Sequence, residues 1–104
     1  MTTHFSRHAR QRWHKRAHNR EPIGEAWRAA RYCGYARIRY TRLHAHRLVY
    51  GYAWREWVFV VRFAHGDTGD AQIITIWPRT WWDREIRHYR RWYAQIHGQE
   101  EDVL

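Results

Sequence analysis

Residues 57–63, Trp-Val-Phe-Val-Val-Arg-Phe, constrain the fold of this chain more than any other segment. Branched and aromatic side chains fill nearly every position, which makes it the strongest strand in the sequence. A run with so little alternation belongs at the centre of a sheet, covered on both faces for much of its length. Gly66-Asp67-Thr68-Gly69 is a turn by composition. Gln72-Ile73-Ile74-Thr75-Ile76-Trp77 then returns as the antiparallel partner and stops at Pro78. Two weaker strands precede them, at 35–40 and 47–52, where bulky residues alternate loosely with small or charged ones.

Helical patterns flank the strands. Ser6 is an N-cap for a helix running to about Ala17, with Phe5 packing back on its first turn. Ala9, Trp13 and Ala17 form its apolar line, and His8, Arg12 and Arg16 form the line beside it. Pro22 opens a second helix, with Ile23, Ala26, Trp27 and Ala30 at helical spacing. Gly34 fits the left-handed position that would end it near Cys33. A last helix is expected from about Trp81 to His97, closed by Gly98, with Trp82, Ile86, Tyr89, Tyr93 and Ile96 as its buried stripe. The order predicts an α+β domain: two N-terminal helices, a twisted antiparallel sheet of three to four strands, and a C-terminal helix. With 104 residues, the chain reads as one domain spanning 1–104.

The charge is strong and uneven. The formal net charge is +9, which favours nucleic acid or an anionic surface and says nothing about fold. Residues 1–65 carry 14 Arg or Lys against 3 acids, whereas residues 66–104 carry 5 against 7. Lys15 is the only lysine. Arginine grips phosphate bidentately and stacks on bases, although a GC-rich coding bias gives the same excess. The tail Glu100-Glu101-Asp102 is acidic.

Other classes are disfavoured. One cysteine, Cys33, excludes an internal disulfide and a cysteine-rich zinc site, and reads as a buried small hydrophobe. The pairs His14/His18 and His44/His46 lack the companions of a zinc pattern. Glu21, Glu25 and Glu56 are the only carboxylates of the basic region, too few for a two-metal nuclease. No metal and no cofactor is therefore expected. No apolar stretch approaches a membrane span, and the first residues lack a signal-peptide pattern, so a soluble cytoplasmic protein without a membrane partner is the expectation.

Ser6-x-His8-Ala9-x-x-Arg12, a basic residue at Arg16, Ile23, Gly34, Arg47-Leu48-Val49-Tyr50-Gly51 and Ile73-Ile74-Thr75-Ile76-Trp77 occur in one order. Together they resemble the small bacterial family called domain of unknown function 4258, over residues 5–78, with 79–104 outside the shared pattern. That family is placed near the barnase/RelE-like ribonuclease toxins. The resemblance implies a compact helical front, an antiparallel sheet that binds RNA, and His8, Arg12 and Thr75 as signature positions. The chain is richer in Trp and Arg than the family usually is.

Cleavage of RNA by its own 2′-hydroxyl needs a base, an acid and cations around the phosphate. His8 is the leading acid or base, since imidazole titrates near ~6.5. Arg12 and Arg16 would hold the phosphate, and Thr75 would orient an oxygen or a water. Lys15, Arg37, Arg39, Arg47 and Arg62 are candidate RNA contacts, and Tyr50 a stacking or hydrogen-bonding one. For each basic strand residue an ordinary solvated face is the competing reading, and for His8 a plain helix contact. Trp27, Trp57, Trp77 and Trp82 are expected in the core, with Trp54 and Trp81 as candidate stacking platforms. The leading expectation is a toxin-like, metal-independent ribonuclease with an acidic protein inhibitor, such as an antitoxin or immunity protein. A non-catalytic nucleic-acid-binding regulator of a phage or mobile element is the alternative. An interaction protein using the C-terminal helix comes third.

Overall fold

Among the described residues eight elements follow one another: β1 (Thr3–Phe5), α1 (Arg7–Arg16), α2 (Ile23–Ala29), β2 (Arg31–Tyr40), β3 (Ala45–Trp54), β4 (Trp57–Phe63), β5 (Ala71–Pro78) and α3 (Arg79–Val103). The structure, a computed structural model, describes residues 2–16, 21–40, 45–63 and 70–103, and does not extend to the side chains of 39, 40, 45, 46 and 97–103. The expected turn at 66–69, Ala17 and His18, and His44 lie outside the described residues.

The chain is α+β, as its pattern predicts. β4 is the middle strand of a five-stranded sheet ordered β1-β5-β4-β3-β2. Val58, Phe59, Val60 and Val61 are all fully buried because helices cover both faces. On one face Phe59 and Val61 pack with Ala9 and Trp13 of α1 and Ala26 of α2. On the other, Val58 and Val60 pack with Ala36, Val49 and Trp82 of α3. The result is three layers, with α1 and α2 on one side of the sheet and α3 on the other.

α1 is pinned where the sequence expects. The Ser6 hydroxyl accepts the Ala9 N–H at 3.0 Å and donates to the Ile74 carbonyl at 3.0 Å. One side chain thus caps the helix and ties it to β5. Ser6→Ala is expected to cost about 1 kcal/mol of unfolding free energy, read by chemical denaturation. A change below a few tenths would show that the cap carries no weight.

Four features depart from the sequence reading. β1 is an extra strand and pairs with β5 in parallel, Phe5 opposite Ile73, so the sheet is mixed rather than antiparallel. Three residues pairing across almost seventy positions leave no local periodicity to read. α2 ends at Ala29, and Gly34 lies inside β2 at φ +119, where the register with β3 shifts between Tyr32 and Gly34. The left-handed signal of this glycine belongs to a bulge, not to a helix end. β3 starts at Ala45, two residues before the expected strand.

α3 begins at Arg79 and continues through Gly98 to Val103. Of its expected buried stripe, Trp82 is buried, Ile86 and Tyr89 are half-buried, and Tyr93 and Ile96 are exposed. A helix of 25 residues spans about 37 Å and outruns the sheet beneath it. Of the other tryptophans, Trp13 is buried, Trp27, Trp54, Trp57 and Trp77 are half-buried, and Trp81 is exposed. No helix among the described residues is long and apolar enough to cross a membrane.

Candidate functional site

The basic line of α1 is fixed by what its apolar line does. Ala9 and Trp13 are buried against the sheet. Residues one position before them therefore lie along the flank of the helix. His8 is exposed there, in the first turn after the Ser6 cap, and Arg12 and Arg16 are half-buried. Arg12 Nε donates to His8 Nε2 at 3.5 Å, which makes Nε2 the acceptor and leaves the proton of the neutral ring on Nδ1. Partial burial, then the charges of Arg12 and Arg16, lower the His8 pKa below the ordinary imidazole value. The shift favours the neutral ring, the form able to accept a proton.

Arg16 is held more tightly than the sequence implies. Its Nη1 donates to the Ile76 carbonyl at 2.7 Å, and its guanidinium lies 4.7 Å from the centre of the Trp81 ring. β1 reaches only to Ile73, so the Ile76 carbonyl has no β1 residue opposite it in the register. Arg16 supplies a partner and joins α1, β5 and α3 at one point. Trp81, expected as a platform for bases, instead carries this guanidinium on one face. Arg16→Met keeps the aliphatic stem but removes every donor. It is expected to lower stability by about 1–2 kcal/mol, visible as a lower thermal midpoint. An unchanged midpoint would mean the clamp is not formed.

Arg16 also borders a hollow of ≈460 Å³ lined by Glu56, Trp57, Pro78, Arg79 and Thr80. The Arg79 N–H donates to the Glu56 carbonyl at 2.7 Å, closing the β3–β4 turn onto the start of α3. Arg79 Nε lies 3.5 Å from Asp83.

The structure separates the other candidates. Thr75 is only 8% exposed and pairs with Val60, a member of the α3-side cluster. Paired residues share a face, so Thr75 lies on the far side of the sheet from α1. The reason is a bulge. Val60 pairs with Thr75 and Val61 with Ile73, leaving Ile74 as an extra residue that reverses the alternation. His8 and Thr75 are not brought together.

The basic strand residues do not form one surface either. Arg37 pairs with Leu48, and Arg47 with Ile38 of the α3-side cluster, so Arg37 and Arg47 point to opposite faces. Arg62 stands between Val61 and Phe63, which pack on the α1 side, and therefore points with Arg47. Arg39 belongs to β2, and its side chain lies outside the described residues. Lys15 is exposed on α1. Since helices cover both faces, the cationic line to consider is on α1, not across an open sheet.

Tyr50 is half-buried within a group of rings. Its ring centre lies 5.2 Å from Phe63, 6.3 Å from Tyr35 and 6.4 Å from Tyr32. The sequence reading picked out Tyr50 and missed Tyr32 and Tyr35, which are 54% and 49% exposed. Their signal was present as tyrosines in a segment rich in arginine and free of acids. Among the described residues no three His, Cys, Asp or Glu side chains gather as a metal site. No family model, curated protein or solved structure matches the chain.

Proposed function

We propose that this chain is a small RNA-binding protein of the RelE/barnase-like toxin kind that cleaves RNA without a metal ion. The observation that carries the reading is the His8–Arg12–Arg16 line: a ring shifted toward its neutral form, exposed, and flanked within one helical turn by a guanidinium. A phosphodiester seated on Arg12 and Arg16 would draw the Arg12 guanidinium toward its oxygens and free His8 Nε2. The ring then takes the proton of the 2′-hydroxyl, and that oxygen attacks phosphorus as the bond to the 5′-oxygen breaks. The imidazolium or a water returns a proton to the leaving 5′-oxygen, and the products are a 2′,3′-cyclic phosphate and a 5′-hydroxyl. The cations neutralise the crowded phosphorus centre while charge builds on it.

The test is incubation of the purified protein with total RNA in EDTA. The wild type is expected to degrade the RNA and His8→Ala to leave it intact. Degradation by His8→Ala at the wild-type rate would remove His8 from the chemistry. In this reading the protein has an acidic protein inhibitor, suited to a chain whose first 65 residues carry 14 basic against 3 acidic side chains.

One observation favours a second reading, a nucleic-acid-binding regulator without turnover. Thr75 is across the sheet, so the α1 line has His8 as its proton carrier but lacks the hydroxyl expected to orient an oxygen or a water beside it. Binding without strand cleavage would select this reading. Salt dependence would not separate the two, because counterion release accompanies both.

A further inference from the structure

The ring group around Tyr50 lies apart from the α1 line, on the strands farthest from β5. β2 is the edge strand of the sheet and β3 its neighbour. From Phe63 on β4 the rings run through Tyr50 on β3 to Tyr32 and Tyr35 on β2, with neighbouring centres 5.2–6.4 Å apart. Tyr35 continues the path to Tyr89 of α3, at 5.9 Å. Tyr32 and Tyr35 leave about half of their surface open. Two large aromatic side chains on an edge strand are an invitation to a partner unless something covers them.

The charge around them selects the partner. Residues 31–54 contain five arginines and not one acid. Arg37 is exposed on the same strand as the two tyrosines and, two residues from Tyr35, on the same face. A second copy would bring arginine against arginine. A polyanion whose own units are flat aromatic rings matches both features at once: guanidinium groups meet phosphates, and tyrosine faces meet bases. A duplex hides its base faces inside the stack and offers the tyrosines nothing. We infer that the Tyr32–Tyr35–Tyr50 group is a stacking platform for single-stranded nucleic acid, with Arg37 holding the backbone. This inference rests on the RNA-binding part of the proposed function and deepens it, naming an unpaired strand as the substrate form. The site is distinct from the α1 line, so a bound strand has two anchoring points.

The probe is a fluorescein-labelled 2′-O-methyl oligoadenylate of twelve nucleotides, which lacks the attacking hydroxyl and stays intact. Anisotropy reads its affinity for the full-length chain. The double variant Tyr32→Ala/Tyr35→Ala is expected to bind at least about 5- to 150-fold more weakly, the range for losing one base stack. Tyr32→Phe/Tyr35→Phe keeps the rings and is expected to bind within about twofold of wild type. That pair separates stacking from a folding defect. The same oligonucleotide annealed to its complement is expected to be insensitive to the alanine pair. Unchanged single-strand affinity in the alanine variant overturns the platform and leaves the exposed rings to a protein partner.

Cleavage of the 2′-hydroxyl oligonucleotide is measured in parallel. Binding sensitive to the tyrosines without any cleavage sinks the ribonuclease reading alone. Cleavage and binding that both ignore the tyrosines sink the platform alone. Failure of the wild type to bind the probe at all sinks both.

Discussion

Trp82→Ala is expected to remove about 3–5 kcal/mol of unfolding free energy, a large share of what a domain of this size holds. Trp82 is fully buried and is the central side chain by which α3 attaches to the sheet. Its indole sits directly on β3 at Gly51, where a Cβ would run into the ring atoms Cε2 and Cζ2. Its Nε1 lies 3.5 Å from the Cys33 carbonyl, and the Trp77 ring 6.3 Å away closes its side. Deleting the ring leaves a hole between two rigid layers, which cannot collapse around it. Gly51→Ala attacks the same contact from below and is expected to cost about 1–3 kcal/mol through overpacking. Chemical denaturation of both single variants and the double variant measures the coupling. Because the three atoms closest to the added methyl all belong to the indole, the roughly 1–3 kcal/mol cost of Gly51→Ala should largely vanish once Trp82 is alanine. Strict additivity would show that Trp82 does not lie on Gly51.

The second large effect is on the chemistry. His8→Ala is expected to lower the rate of RNA cleavage by about 10²- to 10⁴-fold, the range for losing a positioned proton carrier. The pH profile carries more information than the loss. Burial, Arg12 and Arg16 lower the His8 pKa. As a base His8 works when neutral, so the rate rises with pH through the His8 pKa, and this acid limb lies below the ordinary value of ~6.5. Arg12→Gln removes one of the lowering charges, so the acid limb moves upward while the maximal rate falls. A limb above the ordinary imidazole value in the wild type, or one that Arg12→Gln moves downward, contradicts the placement of His8 beside that guanidinium. His8 is exposed, so the alanine variant should retain its thermal midpoint, and a loss of activity is then chemical rather than structural.

The parts of the fold that were legible are those whose reasons are local. Trp57–Phe63 announced a strand covered on both faces because nearly every residue in it is apolar, and β4 is the middle strand. Ser6 announced its helix because a hydroxyl at that position accepts an N–H three residues on, as it does with Ala9. The illegible parts depend on distant pairing. β1 exists only because Ala71–Ile73 lies beside it. Gly34 has the conformational freedom of a helix end, but the strand opposite it uses that freedom in a bulge.

The candidate site divides in the same way. His8, Arg12 and Arg16 share a stripe because they share a helix, and spacing alone places them. Thr75, brought in by the resemblance, does not join them because the one extra residue Ile74 sends it to the other face of the sheet. The clamp of Arg16 on Ile76 and Trp81 had no sequence signal, since it joins α1 to β5 and α3 sixty or more residues further along the chain. The arginines at 37 and 47 were readable as basic, but the face each takes depends on the register between β2 and β3.

The chemistry of the cut ends tests the central claim most directly. A short single-stranded RNA is incubated with the wild-type protein in EDTA, and the fragments are weighed by mass spectrometry. The same oligonucleotide with 2′-deoxy sugars serves as the comparison. Attack by the 2′-hydroxyl, drawn out by His8 and steadied by Arg12 and Arg16, predicts 2′,3′-cyclic phosphate and 5′-hydroxyl ends from the RNA and no fragments from the deoxy strand. Fragments bearing 5′-phosphate ends, equal cutting of the deoxy strand, or an RNA recovered whole would contradict it.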